Sequence, residues 1–224
     1  VNPSTQAPTR SPTNNTGAPG SAGIPPQFSF AGSANIQSVT PHWPVPDVFD
    51  QGGQRSIGYH DSVVFPLTID ITDGTAPTRI SGQIDIGVCE EICIPVTLSF
   101  DAPLPATGNR DAAITAALIN RPLTGVEAAI GPVTCAVTPI SDGLRVTATL
   151  SEVRPDPAEI VIVESGDDNI WVSEAEVTRD DGSLSAMVDM VHVTGDSFAL
   201  DRSRVRVTLI SPTRAVELLG CTAG

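Results

Sequence analysis

Four cysteines carry the chemistry this chain of 224 residues offers, and they fall into two unlike spacings. Cys89 and Cys93 are separated only by Glu90, Glu91 and Ile92, whereas Cys135 and Cys221 lie far apart. Fully extended, residues four apart would be ~13 Å from each other, beyond the Cα separation that a disulfide tolerates. Cys89 and Cys93 must therefore flank a turn. The β-rich runs 84–88 and 94–98 predict a hairpin with Glu90, Glu91 and Ile92 at its tip and the cysteines as a cross-strand pair ~4.5 to 5.5 Å apart; a helical turn is the alternative. Pro95 cannot donate to a ladder, so its strand should lie near a sheet edge, where a partner can approach.

Chain entropy separates the two pairs. Closing a loop of about 5 residues is worth ~2 kcal/mol and one of about 87 residues ~4.6 kcal/mol. The difference corresponds to ~50 mV in a two-electron couple, so the short bridge is the easier to open. Cys89 and Cys93 are thus the candidate exchanging pair, and Cys135 and Cys221 a structural disulfide tying the first strand of a second domain to the tail after its last. Two other readings of Cys89 and Cys93 stay open: a passive hairpin clip, or two thiolates holding Cu(I). A closed zinc site wants four ligands and no second Cys or His pair is evident nearby, so no metal site and no cofactor are expected. Glu90 and Glu91 would push neighbouring thiol pKa values upward, or else serve as ordinary polar tip residues.

The remaining composition excludes several functions. Twelve basic residues face 26 acidic ones, a net charge of −14 that repels phosphate backbones, so no nucleic acid partner is expected. No nucleotide-binding glycine loop, nucleophile elbow or zincin motif occurs. His60 and Asp61 are adjacent and would point to opposite faces of a strand, so they read as surface residues; His42 and His192 are isolated. No run of eighteen apolar residues suggests a membrane span, and no export signal opens at Val1.

The elements that must position the cysteines are strands. The 20 Pro and 19 Gly with few aromatics predict an all-β chain of short strands and turns. Residues 1–27, rich in Pro, Ser, Thr and Asn, read as a flexible arm. Runs 35–39, 62–71, 79–88 and 94–100 make a first sandwich over 28–105, with 41–53 as a long ordered loop. A helical linker follows at 106–130, its helix at 112–119 capped by Asn109 with Asp111 in the first turn. Runs 133–140, 144–150, 160–164, 170–177, 184–193, 205–210 and 215–219 make a second sandwich over 131–224. Asp142-Gly143 and Asp181-Gly182 are its hairpin signals.

The run Gly87-Val-Cys-Glu-Glu-Ile-Cys-Ile-Pro95, preceded by Tyr59-His-Asp-Ser-Val-Val-Phe-Pro-Leu67, resembles the N-terminal periplasmic domain of the thiol:disulfide interchange protein DsbD. Ala22-Gly-Ile-Pro-Pro-Gln-Phe28, Trp43-Pro44 and Phe49 bring it closer to the relatives called ScsB, suppressor of copper sensitivity. The resemblance covers about 22–105. It implies immunoglobulin-like sandwiches and an exchanging pair, Cys89 and Cys93, that takes electrons from a membrane-embedded donor domain and passes them to a periplasmic thioredoxin-like oxidoreductase. It also implies that the loop holding Phe49 caps the pair, with Tyr59, Glu90 and Glu91 as further cap or tuning residues. Two features depart from the pattern: Pro, Thr and Asn replace an aromatic-rich first strand, and the cysteines stand closer together than in DsbD.

Overall fold

A computed structural model describes residues 26–51, 54–89, 93–151, 153, 159–180 and 182–224. The chain divides into two compact units, Val1–Asn120 and Arg121–Gly224. Both are built almost entirely from antiparallel strands, and the fold is all-β and immunoglobulin-like with one short helix.

The first unit runs β1 (Gln27–Ser29), β2 (Ile36–Pro41), β3 (Asp47–Gln51), β4 (Gln54–Gly58), β5 (Leu67–Ile71), β6 (Thr78–Cys89), β7 (Cys93–Leu104) and α1 (Ala112–Ile119). β1, β6 and β7 form one sheet, while β2 pairs with β5 and β3 with β4. Val39, Trp43 and Ile80 are among its buried apolar residues. Aromatic rings do much of the packing: Trp43 meets Phe65 edge-on at 4.9 Å, and Phe28 meets the same two rings at 5.7 and 5.8 Å. Such geometries place a positive ring edge on a negative face.

Several expectations need correction here. The segment 41–53 is not a plain loop, because it carries β3, which pairs with β4 from Asp47↔Gly58 to Gln51↔Gln54. In the sequence, Gly52-Gly53 follows β3 as a hairpin-turn signal. The strand expected over 62–71 begins only at Leu67, since Pro66 has no N–H and Asp61 adopts a positive φ of 55°. The helix is capped by Asp111, whose Oδ1 accepts from the N–H groups of Ala113 and Ile114, and not by Asn109. The expected arm lies outside the described residues except for 26 and 27, and Gln27 already belongs to β1.

The second unit contains β8 (Leu123–Thr124), β9 (Val133–Pro139), β10 (Leu144–Leu150), β11 (Ile160–Glu164), β12 (Ile170–Val172), β13 (Glu176–Asp180), β14 (Ser183–His192), β15 (Arg206–Ile210), β16 (Ala215–Leu219) and β17 (Cys221–Ala223). One sheet has the order β12-β14-β10-β9-β17, with β13 also on β14, and the other β11-β15-β16-β8. Alternate residues of both sheets fill one core: Val146, Ala148 and Leu150 from β10, Leu184, Ala186 and Val188 from β14, Val207 and Leu209 from β15. The expected single strand over 170–177 is two, since the register shifts by one residue between Val172↔Met190 and Glu176↔Met187. β8 and β17 pair in parallel with β16 and β9 and were too short to show as periodic runs. The expected connector 106–130 is divided: α1 falls in the first unit, while β8 and the core residue Ile130 fall in the second.

Candidate redox site

β6 and β7 stay in unbroken register along all their 12 residues each, from Thr78↔Leu104 to Cys89↔Cys93. The hairpin therefore ends in a cross-strand cysteine pair, disulfide-bonded with Cα atoms 4.0 Å apart. Among the described residues β7 pairs only with β6 in the sheet, the edge position that Pro95 calls for. Cys89 is exposed and Cys93 partly so. Glu90, Glu91 and Ile92 lie outside the described residues.

Strand alternation gives this hairpin two unlike faces. The cystine shares its face with Gly87 and Pro95, Asp85 and Thr97, and Arg79 and Asp101. The Thr97 hydroxyl donates to Asp85, and Arg79 donates to Asp101 at 2.5 Å. The bond from Arg79, and secondarily its charge, holds the Asp101 carboxyl below the usual range. The opposite face is aliphatic: Ile84, Ile86 and Val88 on β6 stand across from Leu98, Val96 and Ile94 on β7.

Phe49 and Tyr59 gather in a second group. Phe49 packs on the His60 ring at 4.6 Å, and His60 lies 3.6 Å from Asp47, so Asp47 rather than the adjacent Asp61 is its acidic partner. The Tyr59 hydroxyl donates to the Pro44 carbonyl at 2.8 Å and its ring meets Phe65 at 5.4 Å. Pro44 precedes β3 and Tyr59 follows β4, so this bond latches the base of the β3–β4 hairpin. Burial, and secondarily the Asp47 carboxylate, raise the Tyr59 phenol above its ordinary pKa. Sequence reasoning assigned Tyr59 to a cap or tuning set and missed the latch, because nothing local to residue 59 marks Pro44 as its acceptor.

Cys135 and Cys221 are bridged across β9 and β17 with Cα atoms 5.7 Å apart. Cys135 is 0 % exposed and belongs to the core, and Arg202 donates to its carbonyl at 2.5 Å. Among the described residues, no group of three or more His, Cys, Asp or Glu is placed to hold a metal. No helix among them is long and apolar enough to cross a membrane.

Residues 22–105 match the family model of the thiol:disulfide interchange protein DsbD, N-terminal. That segment is similar to the DsbD N-terminal domain. The matched span includes both strands of the cysteine hairpin and the β3–β4 hairpin. The whole chain is similar in fold to the N-terminal periplasmic domain of ScsB from Proteus mirabilis, with a TM-score of 0.63 at 20 % identity over 92 % of this chain and 81 % of that one. A comparison with curated proteins gives no match.

Proposed function

We propose that the chain is a periplasmic thiol:disulfide interchange module in which Cys89 and Cys93 are the exchanging pair. The observation that carries this reading is an accessible cystine at the tip of an edge hairpin within the DsbD N-terminal domain. A thiolate of a reduced partner attacks one sulfur, the Cys89–Cys93 bond breaks, and the released sulfur takes up a proton. The partner's second thiol then attacks the mixed disulfide, leaving an oxidised partner and a reduced Cys89–Cys93 pair: two electrons and two protons are transferred. By the same steps in reverse the dithiol reduces an acceptor. The donor is a membrane-embedded domain and the acceptor a periplasmic thioredoxin-like oxidoreductase, as the family resemblance implies. Glu90 and Glu91 favour the protonated thiol between encounters.

Phe49 acts as the cap in this scheme. Its support is the latched hairpin that carries it, a preformed element able to move as one piece about Pro44 and Tyr59. Cys135 and Cys221 are the staple.

Single Cys89→Ser and Cys93→Ser proteins, mixed with thioredoxin-like oxidoreductases, should leave one variant trapped as a mixed disulfide, separable by non-reducing electrophoresis. If neither traps a partner, exchange is not the function. Tight Cu(I) binding by the reduced wild-type protein, lost in Cys89→Ser, together with no trapped partner, would instead make the pair a copper site.

A further inference from the structure

The aliphatic face of the β6–β7 hairpin has no role in the scheme above. At its root the face is covered: Ile80 is buried, Phe28 stands opposite Ile84 in the β1–β6 register, and Phe100 packs on Phe30 at 6.0 Å. Toward the tip the cover ends, leaving Leu98 50 %, Ile94 50 % and Val88 48 % exposed. Single exposed aliphatics are ordinary, but these three lie on one face of one hairpin with Ile86 and Val96 between them. Val88 and Ile94 form the pair next to Cys89 and Cys93, one strand step or about 3.3 Å away.

Charge along this hairpin is one-sided. The sequence has no Lys or Arg between Arg79 and Arg110, and Arg79 is bound to Asp101. Asp85 lies on the cystine face four residues before Cys89, and the chain as a whole carries −14. An acidic protein approaching the tip is repelled, whereas a basic one is steered toward it.

We propose that Val88, Ile94 and Leu98 form the docking surface for the dithiol protein that exchanges with Cys89–Cys93, and that this partner presents an apolar patch rimmed by basic side chains. The inference rests on the exchange reading above and adds the chemistry of the partner. The tip is one hairpin wide, so a partner closing over it touches the sulfurs on one side and the aliphatic pair on the other. Apolar cover supplies affinity there and the basic rim supplies orientation and on-rate.

The test compares reduction of the oxidised full chain by two thioredoxin-fold dithiol proteins, one with basic and one with acidic side chains around its reactive thiol, and by dithiothreitol. The basic-rimmed protein should reduce wild type faster than the acidic-rimmed one, and added salt should narrow the gap. An Ile94→Thr, Leu98→Thr double variant keeps β-propensity and should slow the basic-rimmed protein about tenfold while the dithiothreitol rate stays unchanged. Unchanged reduction of the double variant by the basic-rimmed protein, equal rates for the two proteins on wild type, or parallel slowing by dithiothreitol each overturns the docking surface. If dithiothreitol reduces wild type but neither protein does, the exchange reading fails and this inference fails with it.

Discussion

The two disulfides of this chain differ in the surroundings that govern reactivity. Cys135 is 0 % exposed within a core supplied by both sheets of the second unit, and its bridge clips a parallel strand, β17, onto β9. Cys89 is exposed at the end of an edge hairpin in the first unit. The same bond is thus placed once with an exposed cysteine at a hairpin tip and once with Cys135 in a core and Cys221 partly exposed. Thiol exchange needs in-line access to a sulfur, and on the proposed reading the tip bridge exchanges while the core bridge braces.

The largest break in that comparison comes from deleting each bridge in turn. Replacing Cys135 and Cys221 by Ala should destabilise the second unit by about 4 to 5 kcal/mol, against about 2 kcal/mol for replacing Cys89 and Cys93. Denaturant midpoints measured for both double variants check the order, and equal losses would erase the distinction. Mild reductant should likewise open Cys89–Cys93 first, seen by mass mapping of alkylated peptides. Core depth gives the next effect: Leu184→Ala, at a fully buried position, should cost about 2 to 5 kcal/mol. Leu98→Ala, on the half-exposed hairpin face, should cost less than about 1 kcal/mol.

Phe49→Ala sharpens the comparison at the redox end. If the β3–β4 hairpin caps the pair, the reduced thiols should alkylate severalfold faster at nearly unchanged stability. A loss of stability with unchanged alkylation would make Phe49 a packing residue only. Tyr59 is the single tyrosine, so its ionisation can be followed directly by absorbance. Its phenol is raised in the folded state, so the folded protein holds a proton that the unfolded chain loses near its ordinary pKa of about 10. The stabilising contribution is full below about pH 10 and is lost as pH rises above it, so phenolate should appear together with unfolding of the first unit. Tyr59→Phe, which removes the bond to Pro44, should cost about 1 kcal/mol.

The smallest effect belongs to the second unit's surface. Glu127 accepts from Arg121 and from the backbone and hydroxyl of Thr124, bonds that bring its pKa down to about 2 from an ordinary 4.5. Its contribution is present above about pH 4.5 and is lost as pH falls toward 2. Amide exchange at the Thr124 N–H should therefore accelerate over that window in wild type and show no such step in Glu127→Gln.

The cysteine hairpin was legible in the residues themselves. Two alternating apolar runs, a three-residue gap that only a turn can close and a proline in the second run determine a tip cystine on an edge strand, because strand period and disulfide reach are local constraints. The Ala-rich run before Pro122 determined the short helix for the same reason. Its cap was decided elsewhere: Asn109 and Asp111 are both good caps, and backbone geometry at 111 chose between them. Cysteine spacing indicated the Cys135–Cys221 pairing, but only the tertiary structure placed Cys135 in the core and Cys221 on a parallel strand, since a strand of three residues carries no pattern for its direction. It likewise decided that Tyr59 latches to Pro44 and that the aliphatic face of β6 and β7 is covered at its root and open at its tip. Alternation marks which residues share a face, but what lies against that face is a long-range contact that the local sequence does not encode.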